Sequence, residues 1–168
     1  TGTGKTAAFV IPLAEKLQHG KGIRGLIICP TREIALQTKT FIDLLGKSHQ
    51  LTAACLIGGQ SITAQNNTLK NNPDIVVATP GRLLDHMKRK TIRVHQIEKL
   101  VLDEADHMLD LGFLPQITDI LKQLPKKRQT LMFSATMPAS IKSFAMNVLD
   151  HPVTINMKPE GGAAHGIS

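Results

Sequence analysis

The sequence contains no tryptophan or tyrosine and only five phenylalanines among its 168 residues. We therefore do not expect a surface that recognises nucleic-acid bases by stacking them on aromatic side chains. Only two cysteines are present, and Cys29 and Cys55 form no C-x-x-C pair, which argues against a disulfide framework and a zinc site. Both residues follow short apolar stretches, so we expect structural thiols without chemistry, in a reducing compartment.

Long apolar runs are absent as well. No stretch approaches the roughly 18 uninterrupted apolar residues of a membrane helix, and the first residues lack the basic and apolar regions of a signal peptide. We expect a soluble, cytoplasmic protein without a membrane partner. Acidic residues are outnumbered, since 20 lysines and arginines face 13 aspartates and glutamates and give a formal charge of +7. This excess favours a polyanionic partner, although a basic surface also serves solubility.

The order of apolar segments predicts an α/β fold. Short apolar runs alternate with segments of helical period, and 168 residues with 42% apolar content suit a single domain. Continuous apolar runs indicate strands covered on both faces by helices, in a mostly parallel sheet. Glu33–Leu45 is a predicted helix with Ile34, Leu36, Phe41, Leu44 and Leu45 on one broad apolar face. The predicted strands are Leu26–Cys29, Ala53–Ile57, Ile75–Ala78, Leu100–Leu102, Leu131–Phe133 and Val153–Ile155.

Chain breakers and unusual polar residues cluster after the predicted strands. Glycines and prolines follow four of the runs, at Pro30, Gly58-Gly59, Pro80-Gly81 and Pro138. Ligands of open α/β sheets bind at the carboxyl ends of the strands, so function is expected in these loops. Residues 1–156 are predicted to form the domain. Residues 157–168, with little apolar content and several glycines, are predicted to be a flexible linker.

The first six residues match the end of a phosphate-binding loop. Glycine allows backbone N–H groups to turn towards phosphate oxygens, Lys5 is expected to neutralise the β- and γ-phosphates, and Thr6 is expected to offer its hydroxyl to Mg²⁺. The predicted ligands are therefore ATP and Mg²⁺. The complete motif includes two residues before Thr1, so only its last six positions can be compared. A glycine-rich helix cap is therefore the alternative. The segment predicted to bind the nucleotide is Thr1, Gly2, Thr3, Gly4, Lys5 and Thr6.

An acidic pair follows the fourth predicted strand. Phosphoryl transfer requires a carboxylate that holds the metal ion and a group that positions the attacking water. Asp103 is the predicted metal ligand, with Thr6, and Glu104 is the predicted general base. Alone, the pair is more often an acidic helix start. Together with the phosphate loop it favours catalysis, with Glu104, Asp103 and Lys5 as catalytic residues.

The order of short motifs resembles that of DEAD-box RNA helicases. Asp103-Glu104-Ala105-Asp106 spells the motif that names the family. Pro30-Thr31-Arg32-Glu33-Ile34-Ala35 resembles its motif Ia, Gly58-Gly59 its GG element, Thr79-Pro80-Gly81-Arg82 its motif Ib, and Ser134-Ala135-Thr136 its motif III. The segments Gly112–Pro115 and Leu124–Thr130 are most similar to bacterial RhlE-type members. The resemblance implies a RecA-like P-loop domain and ATP-dependent remodelling of RNA by local strand separation.

The resemblance also assigns RNA contacts to the loops after the first three strands. Hydroxyls, backbone amides and guanidinium groups there suit phosphate and ribose, so RNA is expected to bind irrespective of its sequence. The alternatives are structural: a turn at Pro80-Gly81, a strand end at Gly58-Gly59, and a helix ion pair for Arg32. Arg82 is also a candidate brace between neighbouring loops. The predicted RNA contacts are Pro30, Thr31, Arg32, Gly58, Gly59, Thr79, Pro80, Gly81 and Arg82.

A third group is predicted to couple the two sites. The hydroxyls of Ser134 and Thr136 are expected to bond to Asp106 or Glu104, with helix capping near Pro138 as the alternative. His107 is expected to contact this loop or a partner domain. The other six histidines are expected to be solvated, and no pair has metal-ligand spacing.

The resemblance implies further parts that these residues do not include. Family members have a strand before the phosphate loop, an adenine-reading motif upstream of it, and a second RecA-like domain that supplies arginine fingers. We therefore expect a truncated first strand, a monomer that works with a second domain, and weak ATP binding with negligible hydrolysis by the 168 residues alone. The alternatives are a basic RNA-binding module with an inactive nucleotide site and, less favoured, a DNA-translocating relative.

Overall fold

Five parallel strands and seven helices alternate along the part of the chain that the computed structural model describes, residues 5–17 and 22–156. The strands are β1 (Gly25–Ile28), β2 (Ala53–Leu56), β3 (Ile75–Ala78), β4 (Lys99–Leu102) and β5 (Gln129–Met132). The helices are α1 (Lys5–Lys16), α2 (Arg32–His49), α3 (Ile62–Lys70), α4 (Pro80–Lys88), α5 (Ala105–Asp110), α6 (Leu114–Gln123) and α7 (Ala139–Val148). The sheet order is β2-β3-β1-β4-β5, and every pairing is parallel, as predicted.

Helices cover both faces of the sheet. Side chains alternate along each strand, so Leu26 and Ile28 of β1 pack in one apolar cluster while Ile27 packs in the other. The first cluster contains residues of α3 to α7, and the second contains residues of α1 and α2. All residues of β1 and β3 are buried, which explains why these strands are uninterrupted apolar runs in the sequence.

Helix α2 is longer than predicted and buries a narrower face. Thr31 caps its start, and the N–H of Gln50, in the left-handed conformation, closes its end on Gly46 O. The buried residues of the helix are Ala35, Thr38, Ile42 and Gly46. Ile34, Phe41 and Leu45 flank this face, but Leu36 and Leu44 are 42% and 67% exposed, so the predicted broad face is wrong at these two positions.

The predicted sixth strand, Val153–Ile155, is not formed. Its alternating apolar pattern has no ladder partner among the described residues, and Val153 and Ile155 are 88% and 78% exposed. A strand requires a neighbour for its backbone hydrogen bonds, which a three-residue pattern does not supply. Residues 1–4 and 157–168 lie outside the described residues, so the predicted linker and truncated first strand stay predictions.

Both cysteines are free thiols, as predicted. Cys29 is fully buried, and this burial raises the pKa of its thiol far above the usual value. Burial also raises the pKa of Cys55, which is only partly exposed, to about 11. Neither thiol is therefore a ready nucleophile. None of the helices in the described ranges is both long and apolar enough to cross a bilayer.

A buried ion pair ties the amino ends of three strands together. Arg24, just before β1, pairs with Asp74, just before β3, and their side chains are 7% and 1% exposed. The other carboxylate oxygen of Asp74 accepts hydrogen bonds from the backbone N–H of Thr52 at 2.9 Å and from its hydroxyl at 3.3 Å. Because Thr52 precedes β2, the Asp74 side chain fixes the start of β2 relative to β1 and β3.

We predict that Asp74→Ala lowers the free energy of unfolding by about 3–5 kcal/mol, because the substitution leaves Arg24 as a buried charge without its partner. Urea denaturation followed by circular dichroism measures the loss. The matched control is Asp43→Ala, which breaks the exposed pair with Lys39 on α2 and is expected to cost about 0.5 kcal/mol or less. Equal losses in the two variants would contradict the anchoring role of Asp74.

Candidate functional site

The polar residues predicted to be functional lie at one edge of the sheet. Pro30 follows β1, Gly58 follows β2, Thr79 follows β3, Asp103 follows β4 and Ser134 follows β5. Since all five strands are parallel, their carboxyl ends share this edge. The parallel arrangement therefore brings together residues that are more than a hundred positions apart in the chain.

The loops after β1, β2 and β3 enclose a pocket of about 560 Å³. Eight of the nine residues predicted to contact RNA line it: Pro30, Thr31, Arg32, Gly58, Thr79, Pro80, Gly81 and Arg82. The ninth, Gly59, lies against the guanidinium group of Arg32, because a Cβ at Gly59 would be only 2.2 Å from Arg32 Nη1. Sequence reasoning missed three lining residues, Glu33, Asp85 and Phe113. A groove of about 630 Å³ between α6 and α7 contains none of the predicted site residues.

Two helices begin at this pocket. The Thr31 hydroxyl accepts a hydrogen bond from Ile34 N at 3.3 Å and caps α2, so part of its role is structural. Thr79 stands at the same position before α4 but makes no capping hydrogen bond with its side chain. Helix N-termini carry partial positive charge and unpaired N–H groups, which suit anions. Both helix starts therefore favour phosphate in the pocket.

The pocket walls carry two positive and two negative side chains, and a neighbouring arginine offsets one of the negative charges. Arg32 and Arg82 contribute two cations, and Glu33 and Asp85 contribute two carboxylates. Asp85 is paired with Arg89 at 2.8 Å, and this hydrogen bond lowers the pKa of the Asp85 carboxyl below its usual value. Since Arg89 offsets the charge of Asp85, the pocket stays suited to an anionic ligand.

Arg82 braces the loop after β2, as the sequence suggested, and helix α3 rather than a second loop. Its Nη1 donates to Gln60 O at 2.9 Å and to Gln65 Oε1 at 3.0 Å. His86 Nε2 lies 2.9 Å from the same Gln65 oxygen. His86 is fully buried, so the expectation that it would be solvated is wrong. Its spacing of four residues from Arg82, one helical turn, is the signal that could have placed both side chains on one face of α4.

The predicted nucleotide residues in the described ranges stand at the start of α1 and the end of β4. Lys5 and Thr6 open α1, whereas residues 1–4 lie outside the described residues. Burial raises the pKa of Asp103 above its usual value, the adjacent Glu104 carboxylate raises it further, and the charge of Lys5 partly offsets both effects. This influence of Lys5 places the predicted phosphate-binding cation near the predicted metal ligand.

Glu104 has an unusual backbone and a partly unsatisfied carboxylate. Its φ of 51° and ψ of 55° lie in the left-handed region, which non-glycine residues rarely adopt. Its Oε2 is buried and receives no hydrogen bond from any described residue, and His107 Nδ1 is 3.9 Å away. Strain and an unpaired buried oxygen at one residue are typical of functional sites. His107 thus lies beside Glu104, and its predicted contact with the loop after β5 or with a partner domain stays a prediction.

The loop after β5 is bonded to Asp106 through Thr136, as predicted, whereas the same prediction for Ser134 is wrong because its hydroxyl bonds within the loop. Asp106 Oδ2 accepts from the backbone N–H of Thr136 at 3.1 Å and from its hydroxyl at 3.0 Å. The Ser134 hydroxyl donates to Thr136 O at 2.7 Å. Burial raises the pKa of Asp106, but the hydrogen bonds from Thr136 and from the backbone N–H of His107 outweigh it, so this pKa lies below its usual value. Glu104 takes no part in these bonds.

Phe133 links this loop to the start of α1. Its ring lies 5.3 Å, centroid to centroid, from the buried ring of Phe9, one turn after Lys5. Phe133 O also accepts a hydrogen bond from Ala105 N at 2.9 Å, next to Glu104. The candidate nucleotide residues and the loop after β5 therefore form one packed unit. Within the described ranges, no group of three or more His, Cys, Asp or Glu side chains is arranged to hold a metal ion.

Comparisons with known proteins agree with these motifs. A sequence model of the family described as "DEAD/DEAH box helicase" matches residues 1–144. The chain is 46% identical over 159 residues to the DEAD-box ATP-dependent RNA helicase RhpA of Helicobacter pylori, a match that covers 95% of this chain and 32% of that protein. The DEAD-box ATP-dependent RNA helicase CshA of Bacillus subtilis is also 46% identical over 159 residues, covering 94% of this chain and 32% of the relative. The chain thus spans about a third of the length of these curated relatives.

Solved structures show the same fold. A crystal structure of a DEAD box protein from the hyperthermophile Methanococcus jannaschii has a TM-score of 0.86 and 42% identity, covering 90% of this chain and 41% of that chain. A crystal structure of a yeast DEAD-box splicing factor has a TM-score of 0.83 and 36% identity, covering 89% of this chain and 38% of that chain. The RecA-like fold is thereby confirmed, whereas the RhlE-type subgroup stays a prediction.

We predict opposite effects for two glycine substitutions in the pocket walls. Gly59→Ala is expected to lower the free energy of unfolding by about 1–2 kcal/mol, because φ is +74° and the added Cβ would meet Arg32. Gly81→Ala is expected to raise it by about 0.5–1 kcal/mol, because Gly81 lies in the first turn of α4 and nothing stands within 4 Å of the added Cβ. Urea denaturation of the two variants measures both changes in the free energy of unfolding. Changes of the same sign would refute this geometry.

We predict a pH-dependent effect of Asp106→Asn. A carboxyl whose pKa is lowered by folding adds stability above its unfolded pKa, about 3.9, and loses this contribution as the pH falls. The substitution is expected to cost about 1 kcal/mol at pH 7 and progressively less below about pH 4. Denaturation across this pH range measures the difference. Asp119→Asn, on the exposed side of α6, is the control, and a constant difference for Asp106→Asn at all pH values would refute the assignment.

Proposed function

Since this chain belongs to the DEAD/DEAH box helicase family, we propose that it is the ATP-binding part of an ATP-dependent RNA helicase. In this proposal the chain couples ATP hydrolysis to local strand separation or remodelling of RNA. The observation that carries it is the state of Glu104, held in a strained conformation beside Asp103 with a buried oxygen that receives no hydrogen bond from the described residues. A residue kept in this state is suited to a general base, which needs a free acceptor aimed at a water molecule.

The residues at the start of α1 and the end of β4 suit a nucleotide with Mg²⁺. The donors are hard oxygens, and the pKa of Asp103 is raised partly by the repulsion between its carboxylate and that of Glu104, which a cation would relieve. Asp103 and the Thr6 hydroxyl are the residues that would hold the ion. When bound, Mg²⁺ would supply neutralisation of phosphate charge. Phosphate oxygens and water would supply the remaining ligands, which is the usual way proteins bind this ion.

Lys5 and Glu104 have different roles in the proposed hydrolysis. Lys5 stabilises the negative charge of the β- and γ-phosphates, since it opens a helix whose N-terminus adds partial positive charge. Glu104 Oε2 accepts a proton from the attacking water, which makes the water a better nucleophile. Asp106 does not face this reaction, because it is committed to the loop after β5.

RNA is the proposed ligand of the pocket after β1, β2 and β3. Phosphate and ribose groups suit the N-termini of α2 and α4, the guanidinium groups of Arg32 and Arg82, and the hydroxyl of Thr79, which does not cap α4. The lining contains one aromatic residue, Phe113, and therefore offers little surface on which bases could stack. Binding is therefore proposed to be independent of RNA sequence and weakened by salt.

Coupling between the two sites is proposed to run through Asp106 and the loop after β5. The hydrogen bonds of Thr136 fix this loop directly behind Glu104, so a movement of either element is transmitted to the other. We also propose that the protein is a cytoplasmic monomer and that a second RecA-like domain completes both sites. An arginine finger from that domain is worth roughly 10³–10⁵ in turnover, so the 168 residues alone are expected to hydrolyse ATP negligibly.

We predict that Glu104→Gln lowers the RNA-stimulated turnover number of the full-length protein by about 10²–10⁴, the usual contribution of a general base. ATP affinity is expected to stay within a few-fold, because the amide keeps the shape of the carboxylate. A coupled phosphate-release assay and binding of a fluorescent ATP analogue measure the two quantities. Glu98→Gln is the matched control, since Glu98 is exposed at the opposite, amino end of β4 and is expected to change neither.

The outcomes separate the proposal from its alternative. Turnover that requires RNA and collapses only in Glu104→Gln supports the helicase and the role of Glu104. If the unaltered protein hydrolyses no ATP with any RNA but still binds RNA, the basic RNA-binding module with an inactive nucleotide site becomes the better account. Full activity of Glu104→Gln would remove Glu104 from the mechanism.

A further inference from the structure

Gln65 stands at the centre of a buried polar network beside the pocket. The residue lies on α3 and is only 5% exposed. Its Nε2 donates to Ile57 O at 2.8 Å, directly before Gly58. Its Oε1 faces Arg82 Nη1 at 3.0 Å and His86 Nε2 at 2.9 Å. One side chain therefore contacts the end of β2 and two positions on α4.

Chemistry fixes the orientation of this amide. Ile57 O can only accept a hydrogen bond and Arg82 can only donate, so the NH₂ group of Gln65 must face the carbonyl and its oxygen must face the guanidinium. The same oxygen then requires a proton on His86 Nε2. Reversing the amide would oppose two donors at Arg82 and two acceptors at Ile57. The Gln65 amide therefore has one orientation in this network.

His86 closes the network on its other side. Its Nδ1 lies 2.7 Å from the hydroxyl of Thr91, beyond the end of α4. Burial, reinforced by the charge of Arg82, lowers the pKa of the fully buried His86 below its usual value. A neutral ring with its proton on Nε2 thus supplies Gln65 with a fixed donor. This leaves the Gln65 side chain no other low-energy position.

The network holds Arg82 in the wall of the pocket. Arg82 Nη1 is shared between Gln65 Oε1 and the backbone carbonyl of Gln60, in the loop that contains Gly58 and Gly59. Its remaining guanidinium nitrogens have no hydrogen-bond partner among the described residues, and the side chain lines the pocket. The protein thus holds Arg82 through Nη1, while the other guanidinium nitrogens are available to a ligand in the pocket.

We propose that Gln65 is a positioning residue for RNA binding: it fixes the guanidinium of Arg82 and the loop at residues 58–60 in the arrangement that receives the RNA backbone. This inference rests on the proposed function, which names RNA as the ligand of the pocket. An arginine that is fixed before binding loses less side-chain entropy when it meets a phosphate, so affinity is gained without a contact between Gln65 and RNA.

A double-mutant cycle tests this role. The dissociation constant of a short fluorescent single-stranded oligoribonucleotide is measured on the full-length protein, with a non-hydrolysable ATP analogue, for Gln65→Leu, Arg82→Ala and the double variant. Gln65→Leu is expected to raise the constant about tenfold in the unaltered background and less than twofold in the Arg82→Ala background, because its effect passes through Arg82. Asn67→Leu, an exposed polar-to-apolar change on the same helix, is the control.

A second measurement does not involve RNA. The Nη proton signals of Arg82 in NMR spectra are expected to be separate while the guanidinium group is held and to average in Gln65→Leu, while the backbone signals of β1, β3 and β4 stay unchanged. If Gln65→Leu does not fold, Gln65→Asn replaces it in both measurements. Its amide is one methylene shorter and cannot reach Ile57 O and Arg82 together, so the same results are expected.

Each outcome decides a separate question. Equal effects of Gln65→Leu in both backgrounds, or none in the unaltered background, overturn the positioning role. Separate Arg82 signals in both proteins overturn it as well. If the unaltered protein binds no RNA, the proposed function fails together with the role of Gln65 towards RNA, and the NMR measurement still decides whether Gln65 holds Arg82.

Discussion

The parallel pairing of β1 with both β3 and β4 is the constraint on which the candidate sites depend. These three strands are almost wholly buried, and their backbone hydrogen bonds leave little freedom in register. The Arg24–Asp74 pair fixes the amino ends of β1 and β3 relative to each other, and the ladder carries this register to their carboxyl ends. The loops that leave the carboxyl ends thus start from set positions, which is what a multi-loop binding site requires.

The two candidate sites lie at the same edge of the sheet and are also connected by backbone hydrogen bonds. Asp103 N donates to Ile28 O, and Cys29 N donates to Ala78 O, so the ladder continues past the strand ends into the loops. Phe133 N donates to Leu102 O in the same way. These hydrogen bonds therefore transmit a displacement at the end of β4 to the loops on either side. This gives the proposed coupling between nucleotide and RNA a physical route through packed, hydrogen-bonded neighbours.

Asp103 and Glu104 are held at an energetic cost at the point where chemistry is proposed. Glu104 has a left-handed backbone and a buried oxygen without a hydrogen bond from the part of the chain that the structure describes, and Asp103 is a buried carboxyl beside another carboxylate. By contrast, two buried polar residues that support the loops and the sheet are well bonded: Gln65 makes three hydrogen bonds and Asp74 is paired. Local cost at a site that is otherwise well built is expected where a ligand completes the interactions.

Sequence reasoning succeeded where a residue's environment follows from its neighbours in the chain. The apolar runs gave all five observed strands, and the loops after them gave eight of the residues that line the pocket. It failed where the environment depends on distant elements. Leu36 and Leu44 continue the apolar pattern of α2 but face solvent, because the sheet beneath the helix accepts only a narrow face. Val153–Ile155 alternates as a strand does but has no partner among the described residues.

The sequence by itself determined the fold class, the order of the motifs and the residues that carry the proposed chemistry, because glycine, proline and buried apolar runs act through local backbone preferences. Only the tertiary structure decided which side chains meet. Gln65 and His86 carry no recognisable motif, yet they hold Arg82, and Thr136 reaches Asp106 across 30 positions of the chain. Such contacts depend on hydrogen-bond distances of about 3 Å, and these are set by the packing of α3, α4 and β5 rather than by any local pattern.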